Sequence, residues 1–209
     1  MRVWGWKSAG IATLAMAGIA VLLSAAPTRS KVQKPSPGAQ EIVLDLDPAQ
    51  SKVHYTVEST LHTVHGTFNL KGGSVHFDPE SGRAGGEVSV YATSGDSGNG
   101  SRDEKMHKEV LESQKYPDAV FTPSQVEGKV TLEGASDVNL HGVMLLHGKE
   151  HEMVVPVHAE LAAGRWMGKA KFEVPYIQWG MKDPSNWLLK VKPIVRLELD
   201  MVGTTKSPQ

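Results

Sequence analysis

Apolar and polar residues alternate again and again between Lys52 and Val202, and this period of two constrains the fold more than anything else in the chain. Over residues 52–58, Val53, Tyr55 and Val57 fall on one face, and His54, Thr56 and Glu58 on the other. Successive side chains of a strand point to opposite faces, so the pattern predicts strands with one face in a core and one in water. It recurs at residues 67–70, 74–77, 87–92, 119–126, 129–132, 138–146, 151–161, 166–174 and 195–202. Turn sequences part these segments: Lys71-Gly72-Gly73, Asp78-Pro79-Glu80-Ser81-Gly82, Glu127-Gly128, Gly148-Lys149 and Ala163-Gly164. Many short strands at near-regular spacing predict an antiparallel sandwich or barrel.

One stretch breaks the pattern. Residues 94–123 read SGDSGNGSRDEKMHKEVLESQKYPDAVFTP. Ser101 is placed to cap a helix over residues 102–114, with Asp103 and Glu104 in its first turn, where acids suit the helix dipole. Met106 and Val110 are four apart, as are His107 and Leu111, which gives the helix an apolar stripe. Pro117 stops it. A single helix in a chain of strands either lids a barrel end or merely connects two strands.

The chain of 209 residues does not all belong to this fold. Arg2 and Lys7 precede an apolar, alanine-rich run that ends in Ser24, Ala25 and Ala26, the layout of a secretory signal peptide. Pro27 disfavours cleavage after Ala26, and the uncharged run 8–26 is close to the roughly 20 residues that span a bilayer. Residues 1–26 are therefore expected to be a signal peptide or an uncleaved anchor, and both put the remainder outside the cytoplasm. Residues 27–40, polar and holding prolines, read as a tether. Residues 41–203 make one domain, with 204–209 as a tail. The absence of cysteine excludes a disulfide framework and a lipoprotein anchor. A net charge of −1 without a basic block gives no reason to expect nucleic acid.

Catalytic signatures are lacking. The chain has no G-x-S-x-G element and no phosphate-cradling loop, since Gly95, Gly98 and Gly100 do not follow a strand of the required kind. Asp183-Pro184-Ser185-Asn186 reads as turn chemistry. Nine histidines invite a metal- or haem-handling reading, carried by His141, His147 and His151 with His62 and His65. His147 and His151 flank Gly148-Lys149 and could face each other across a hairpin, whereas His62 and His65 fall on opposite faces of a strand. The aromatic residues point elsewhere. Phe68, Phe77, Phe121 and Phe172 all sit on the apolar half of an alternation. An eight-stranded barrel either fills with such side chains or holds one small ligand among them. Trp166, Trp179 and Trp187 are expected at the rim, with rings on apolar surface and indole N–H groups toward polar partners.

Taken in order, five segments resemble the YceI-like family, the polyisoprenoid-binding proteins. They are LHTVHGTF, with Thr63, Val64, Gly66 and Phe68; GSVHFDPESG; the helical segment, with Arg102, Asp103, Tyr116, Pro117 and Phe121; VNLHGVMLLHGKEHEMVVPV; and WGMKDPSNWLLKVKPIVRLELDMVG. The resemblance runs from Leu44 to Gly203. It implies an all-β, extended antiparallel eight-stranded lipocalin-like barrel with one short helix, about 102–114, in a long connection. It also implies a non-catalytic cell-envelope protein without a cofactor metal. The barrel would carry or sequester an isoprenoid, such as a polyprenyl phosphate or a quinone tail, in its lumen.

Alternation then assigns Val57, Phe68, Phe77, Val90, Phe121, Leu140, Val155, Val157, Phe172, Leu197 and Leu199 to that lumen. His62, Arg102, Asp103 and His107 are expected at its mouth, against a ligand head group. Two departures stand out. Many family members carry histidine where this chain has Ser59, and Ala119 replaces a larger core residue, which reshapes the cavity. The expected partner is a polyprenyl-type lipid, with a membrane tether through residues 8–26 and a homodimer left open. The expected location is the periplasm or the exterior, or the inner membrane if the segment is not cut. A ligand-free structural module is the remaining alternative.

Overall fold

The alternating segments become nine antiparallel strands in the computed structural model, which describes residues 41–206. They are β1 (Ile42–Leu46), β2 (Lys52–Ser59), β3 (Thr63–Phe77), β4 (Ala84–Asp96), β5 (Asp118–Glu127), β6 (Gly134–Leu146), β7 (Lys149–Ala162), β8 (Arg165–Val174) and β9 (Val191–Lys206). Each of β2 to β9 pairs with its neighbour in space, and β3 pairs with β4 to close the sheet into a barrel. Closure removes the unpaired strand edges that invite aggregation.

Nine strands fill eight positions. Both β1 and β2 lie between β3 and β9: Ile42 faces Phe77 and Leu46 faces Gly203, while Val53 faces Phe68 and Lys52 faces Asp200. They are two halves of one interrupted strand. The break is an Asp47 turn, in which the carboxylate accepts from Ala49 N–H at 2.9 Å and the carbonyl from Ser51 N–H at 3.0 Å. The result is the lipocalin-like barrel with one short helix.

Several sequence expectations change in detail. Residues 67–70 and 74–77 belong to one strand, because Gly72 and Gly73 form a bulge instead of a turn. Their φ values of 139° and 147° favour glycine, and a Cβ on Gly73 would run into the Glu87 backbone. Residues 129–132 form no strand; Thr131 instead bonds through its N–H to Ser136 Oγ at 2.9 Å. The β6–β7 turn is His147-Gly148, with φ of 52° and 73°, a type I′ geometry, so it sits one residue earlier than expected. Strand β9 continues through Lys206, which faces Val43, where a tail was expected. Residues 1–26 and 27–40 lie outside the described residues.

The helix also differs. It is α-helical only over α1 (Gly100–Lys105), and its cap is Asn99, whose side chain accepts from Arg102 N–H at 3.1 Å, so Ser101 lies inside the first turn. A π turn follows over Met106–Val110, with Leu111 N–H donating to Met106 O at 2.8 Å. The extra residue of a π turn rotates the stripe, so that Met106, Val110 and Leu111 all face the barrel. Glu112, at φ 45°, ends the segment before Gln114 is reached.

Four apolar clusters form a wall around the lumen instead of one solid core. Leu44, Phe77 and Val126 lie toward the end that holds the β3–β4, β5–β6 and β7–β8 turns. Val53, Leu70 and Met201 form a second cluster, and Phe121, Val155 and Ala170 a third. Val174, Tyr176 and Met181 pack with Val110 and Leu111 at the helix end.

Candidate ligand-binding lumen

The inward side chains enclose a cavity of about 430 Å³. Its wall is almost wholly apolar. Val57, Phe68, Phe77, Val90, Phe121, Leu140, Val155, Val157, Phe172, Leu197 and Leu199 all line it, and so does Ala119. Strands of 13 to 16 residues bound it, as in β3, β4, β6, β7 and β9. At about 3.3 Å per residue and a tilt near 40°, such strands make a barrel on the order of 35 Å tall. The lining runs from Leu44 and Phe77 toward one end to His62 and Tyr176 toward the other, so the space extends along the barrel.

Sequence reasoning missed part of the wall. Tyr55 shares the face of Val53 and Val57, so alternation held the signal. Leu44 and Leu46 come from β1, which precedes the segments recognised as strands. Tyr176 and Met181 arise from the β8–β9 connection, where no periodicity marks them. Of the three described tryptophans, Trp166 lines the lumen beside the β7–β8 turn, at the end away from the helix, packed with two clusters. Trp179 stacks on His151, with ring centroids 4.0 Å apart and planes 3° apart. Among the described tryptophans, Trp187 alone stands exposed.

The helix lies across the end of the barrel because three sets of bonds hold it there. On the β4 side, Ser97 is the hub. Asp103 Oδ1 accepts from Ser97 N–H at 3.0 Å and from its hydroxyl at 2.5 Å, while Arg102 donates through Nε to Ser97 Oγ at 2.7 Å and through Nη2 to Ser97 O at 2.9 Å. His107 Nε2 donates to Gly95 O at 2.9 Å, which leaves Nδ1 to accept from Ser113 Oγ at 3.0 Å. Toward the β8–β9 connection, Lys105 Nζ donates to Pro184 O at 3.2 Å and Glu109 pairs with Lys182 at 2.6 Å. Toward the β6–β7 turn, Glu112 pairs with His147 at 2.6 Å, and the Tyr116 ring lies 4.6 Å from the His147 ring.

The four expected mouth residues therefore separate. Arg102 and His62 line the cavity. Asp103 and His107 do not; their polar atoms are spent on Ser97, Ser113 and Gly95, so they pin the helix. Ser59, which also lines the cavity, donates from Oγ to His62 O at 2.7 Å and accepts from His62 N–H at 3.2 Å, closing the β2–β3 turn.

Two polar groups at the helix end have no protein partner among the described residues: Tyr176 Oη and His151 Nε2. Burial, with the Asp183 charge second, pushes the Tyr176 phenol up to about 12, so it remains a neutral donor. Burial raises the Tyr55 phenol as well, with the Asp103 charge second.

The histidines do not build a metal centre. His141 pairs with Glu127 at 2.9 Å, His147 with Glu112, and His151 lies on Trp179. His147 occupies the turn itself and His151 faces Met144 in the ladder, so the two do not meet across the hairpin. His65 bonds Thr56 Oγ1 at 3.0 Å. Among the described residues no three His, Asp or Glu side chains converge on one point.

A closed antiparallel barrel with a long apolar lumen and a helix across one end defines a lipocalin-like barrel protein. The model of the YceI-like domain family matches residues 44–203, and the chain belongs to that family. Its fold is similar to that of BcnA from Burkholderia cenocepacia, at 19% identity and a TM-score of 0.64, covering 77% of this chain and 100% of that one. It is also similar to a polyisoprenoid binding domain from Saccharophagus degradans implicated in plant cell wall breakdown. That match has 16% identity and a TM-score of 0.59, and covers 79% of this chain and 98% of that one. The YceI protein of Campylobacter jejuni matches at 17% identity and a TM-score of 0.51, covering 68% of this chain and 84% of that one. No curated protein sequence matches the chain.

Proposed function

We propose that this protein is a non-catalytic carrier of the cell envelope that holds an isoprenoid, or a similarly long apolar lipid, in its lumen for transport or sequestration. The observation that carries the reading is the lumen itself: about 430 Å³ of space walled by aliphatic and aromatic side chains. Each methylene moved from water into it contributes about 0.8 kcal/mol. The Saccharophagus relative, described as polyisoprenoid binding, supports the same ligand class. The signal-like or anchor-like residues 1–26 support a location outside the cytoplasm.

The polar end of the ligand belongs at the helix end, where Arg102, His62 and Tyr176 line the cavity. The test is mass spectrometry of an organic extract from protein purified out of its native host. A prenyl lipid in near-stoichiometric amount is the expected result. Protein that neither carries such a lipid nor takes one up from micelles overturns the proposal.

A further inference from the structure

The helix end of the barrel carries an apolar patch that the lumen does not use. Leu61, on the β2–β3 turn, is 64% exposed, and Trp187 and Leu188, on the β8–β9 connection, are 89% and 61% exposed. The two loops are joined, since Thr60 N–H donates to Lys190 O at 2.9 Å and Lys190 N–H to Thr60 Oγ1 at 3.3 Å.

The projecting tip is built and not frayed. Asn186 Oδ1 accepts from the N–H groups of Leu188 at 2.9 Å and Leu189 at 2.8 Å, and Asn186 N–H donates to Leu189 O at 2.8 Å. Ser185 Oγ accepts from Val191 N–H at 2.9 Å just behind it. Hydrogen bonds thus close a turn whose outermost side chains are an indole and a leucine. A turn ordered to hold them in water makes sense if a partner takes them out of it.

Charge and position say which partner. Lys182 and Lys192 stand on the same connection or just past it, paired with Glu109 and Glu58. Lys105 and Lys190 have no carboxylate within ion-pair distance among the described residues, and Lys105 reaches Pro184 O on this connection. Indole and leucine at the tip with cations behind them fit a bilayer interface, where the ring sits at headgroup level and the lysines meet anionic lipid. A second copy of the chain fits less well. Three side chains on two loop tips fall short of the roughly 800 Å² per partner of a stable interface. The same loops also supply Ser59, His62, Pro184, Leu189 and Val191 to the lumen wall.

We propose that Leu61, Trp187 and Leu188 dock the helix end of the barrel onto the surface of an anionic lipid bilayer, so that the lumen faces the membrane from which its lipid is taken or to which it is given. The purpose rests on the carrier reading, but the docking does not require a filled lumen.

Because the chain has no cysteine, a single Leu188→Cys in the full-length protein can carry an environment-sensitive fluorophore at the tip. Leu132→Cys, 58% exposed in the β5–β6 loop at the other end, carries it in the control. The probes are read on vesicles of phosphatidylcholine with phosphatidylglycerol that contain nitroxide-labelled lipid. The expected result is a blue shift and quenching of the tip probe alone, weakened several-fold by Trp187→Ser and by high salt. The proposal is overturned if neither probe responds, or if both respond alike through the N-terminal segment. It is also overturned if the tip probe shifts with protein concentration when vesicles are absent, which marks self-association. Prenyl-lipid retention, measured on the same samples, separates a failure of docking from a failure of carriage.

Discussion

The ring of Tyr55 occupies the space that a Cβ on Gly66, its partner across β2 and β3, would need, and the Asp96 carbonyl crowds the same point. The ring also lies 5.1 Å from that of Phe68, so strand, glycine and two aromatics form one packed unit at the lumen wall. Gly66 is needed here for the room it leaves and not for backbone freedom. Gly66→Ala should therefore destabilise the barrel by about 1–3 kcal/mol, the range for overpacking. Tyr55→Phe, which keeps the ring and loses the hydroxyl's contacts with the Met106 sulfur, at 3.7 Å, and with Ser97, should cost about 1 kcal/mol. Urea unfolding of both variants checks the contrast.

Much of this wall was legible in the sequence, because a barrel strand must alternate. Val155 and Val157 face inward for the same reason that Val154 is exposed. Where alternation stops, legibility stops. Tyr176 and Met181 come from a connection without a period, and β1 is a short strand before the clear pattern begins. The glycine pair at Gly72-Gly73 looked like a turn because composition cannot separate a turn from a bulge; only the cross-strand register does. The roles of Asp103 and His107 were hidden for another reason. A charged helix face reads the same whether its groups meet a ligand or a neighbouring serine, and here Ser97 and Ser113 take them.

Ala119 lines the lumen opposite Val90 in the β4–β5 ladder, where a larger side chain would project into the cavity. Ala119→Phe should fill part of the ligand space without disturbing an outward face. Lipid retention should fall at least about tenfold, equivalent to about 1.4 kcal/mol, while the melting temperature holds or rises. Titration with a fluorescent prenyl analogue, run beside a thermal melt, measures both. Unchanged retention would mean that the ligand does not pass Ala119.

His107 bridges the π turn to β4 and to Ser113, and both ring nitrogens are used. His107→Ala strands the Gly95 carbonyl and frees the segment after α1. A loss of about 1–3 kcal/mol is expected. Amide exchange should accelerate over residues 97–113 while β6 and β7 remain protected. If the helix gates access, lipid release should speed up in the same variant, and an unchanged release rate would leave His107 a purely structural pin.

The Tyr176 hydroxyl is buried without a partner among the described residues and is held protonated by burial. Tyr176→Phe removes a polar group whose desolvation nothing among the described residues offsets, so delipidated barrel should gain about 1 kcal/mol. Lipid affinity should move the other way if the hydroxyl donates to a ligand carbonyl or oxygen. Opposite signs in the two measurements would place the ligand's polar end at Tyr176, and equal signs would remove it from there.

His151 lies stacked on Trp179 with Nε2 unpartnered among the described residues, and burial first, then the charge of Lys149, lowers its pKa from the ordinary 6.5. The sign of the pH effect follows. Between 6.5 and the folded value, the unfolded chain binds a proton at this ring that the folded chain refuses, so stability falls as pH falls. The contribution is complete above 6.5 and is lost as pH drops through the folded value. Wild-type protein should thus lose thermal stability from neutral pH toward pH values near those of an acidified envelope. His151→Gln, which cannot take the proton, should lose less over the same interval. Thermal melts across the range give the slopes, and proton NMR of the ring gives the midpoint. A midpoint above 6.5, or parallel slopes for the two proteins, would show that the stacked ring accepts its proton as readily when folded as when unfolded.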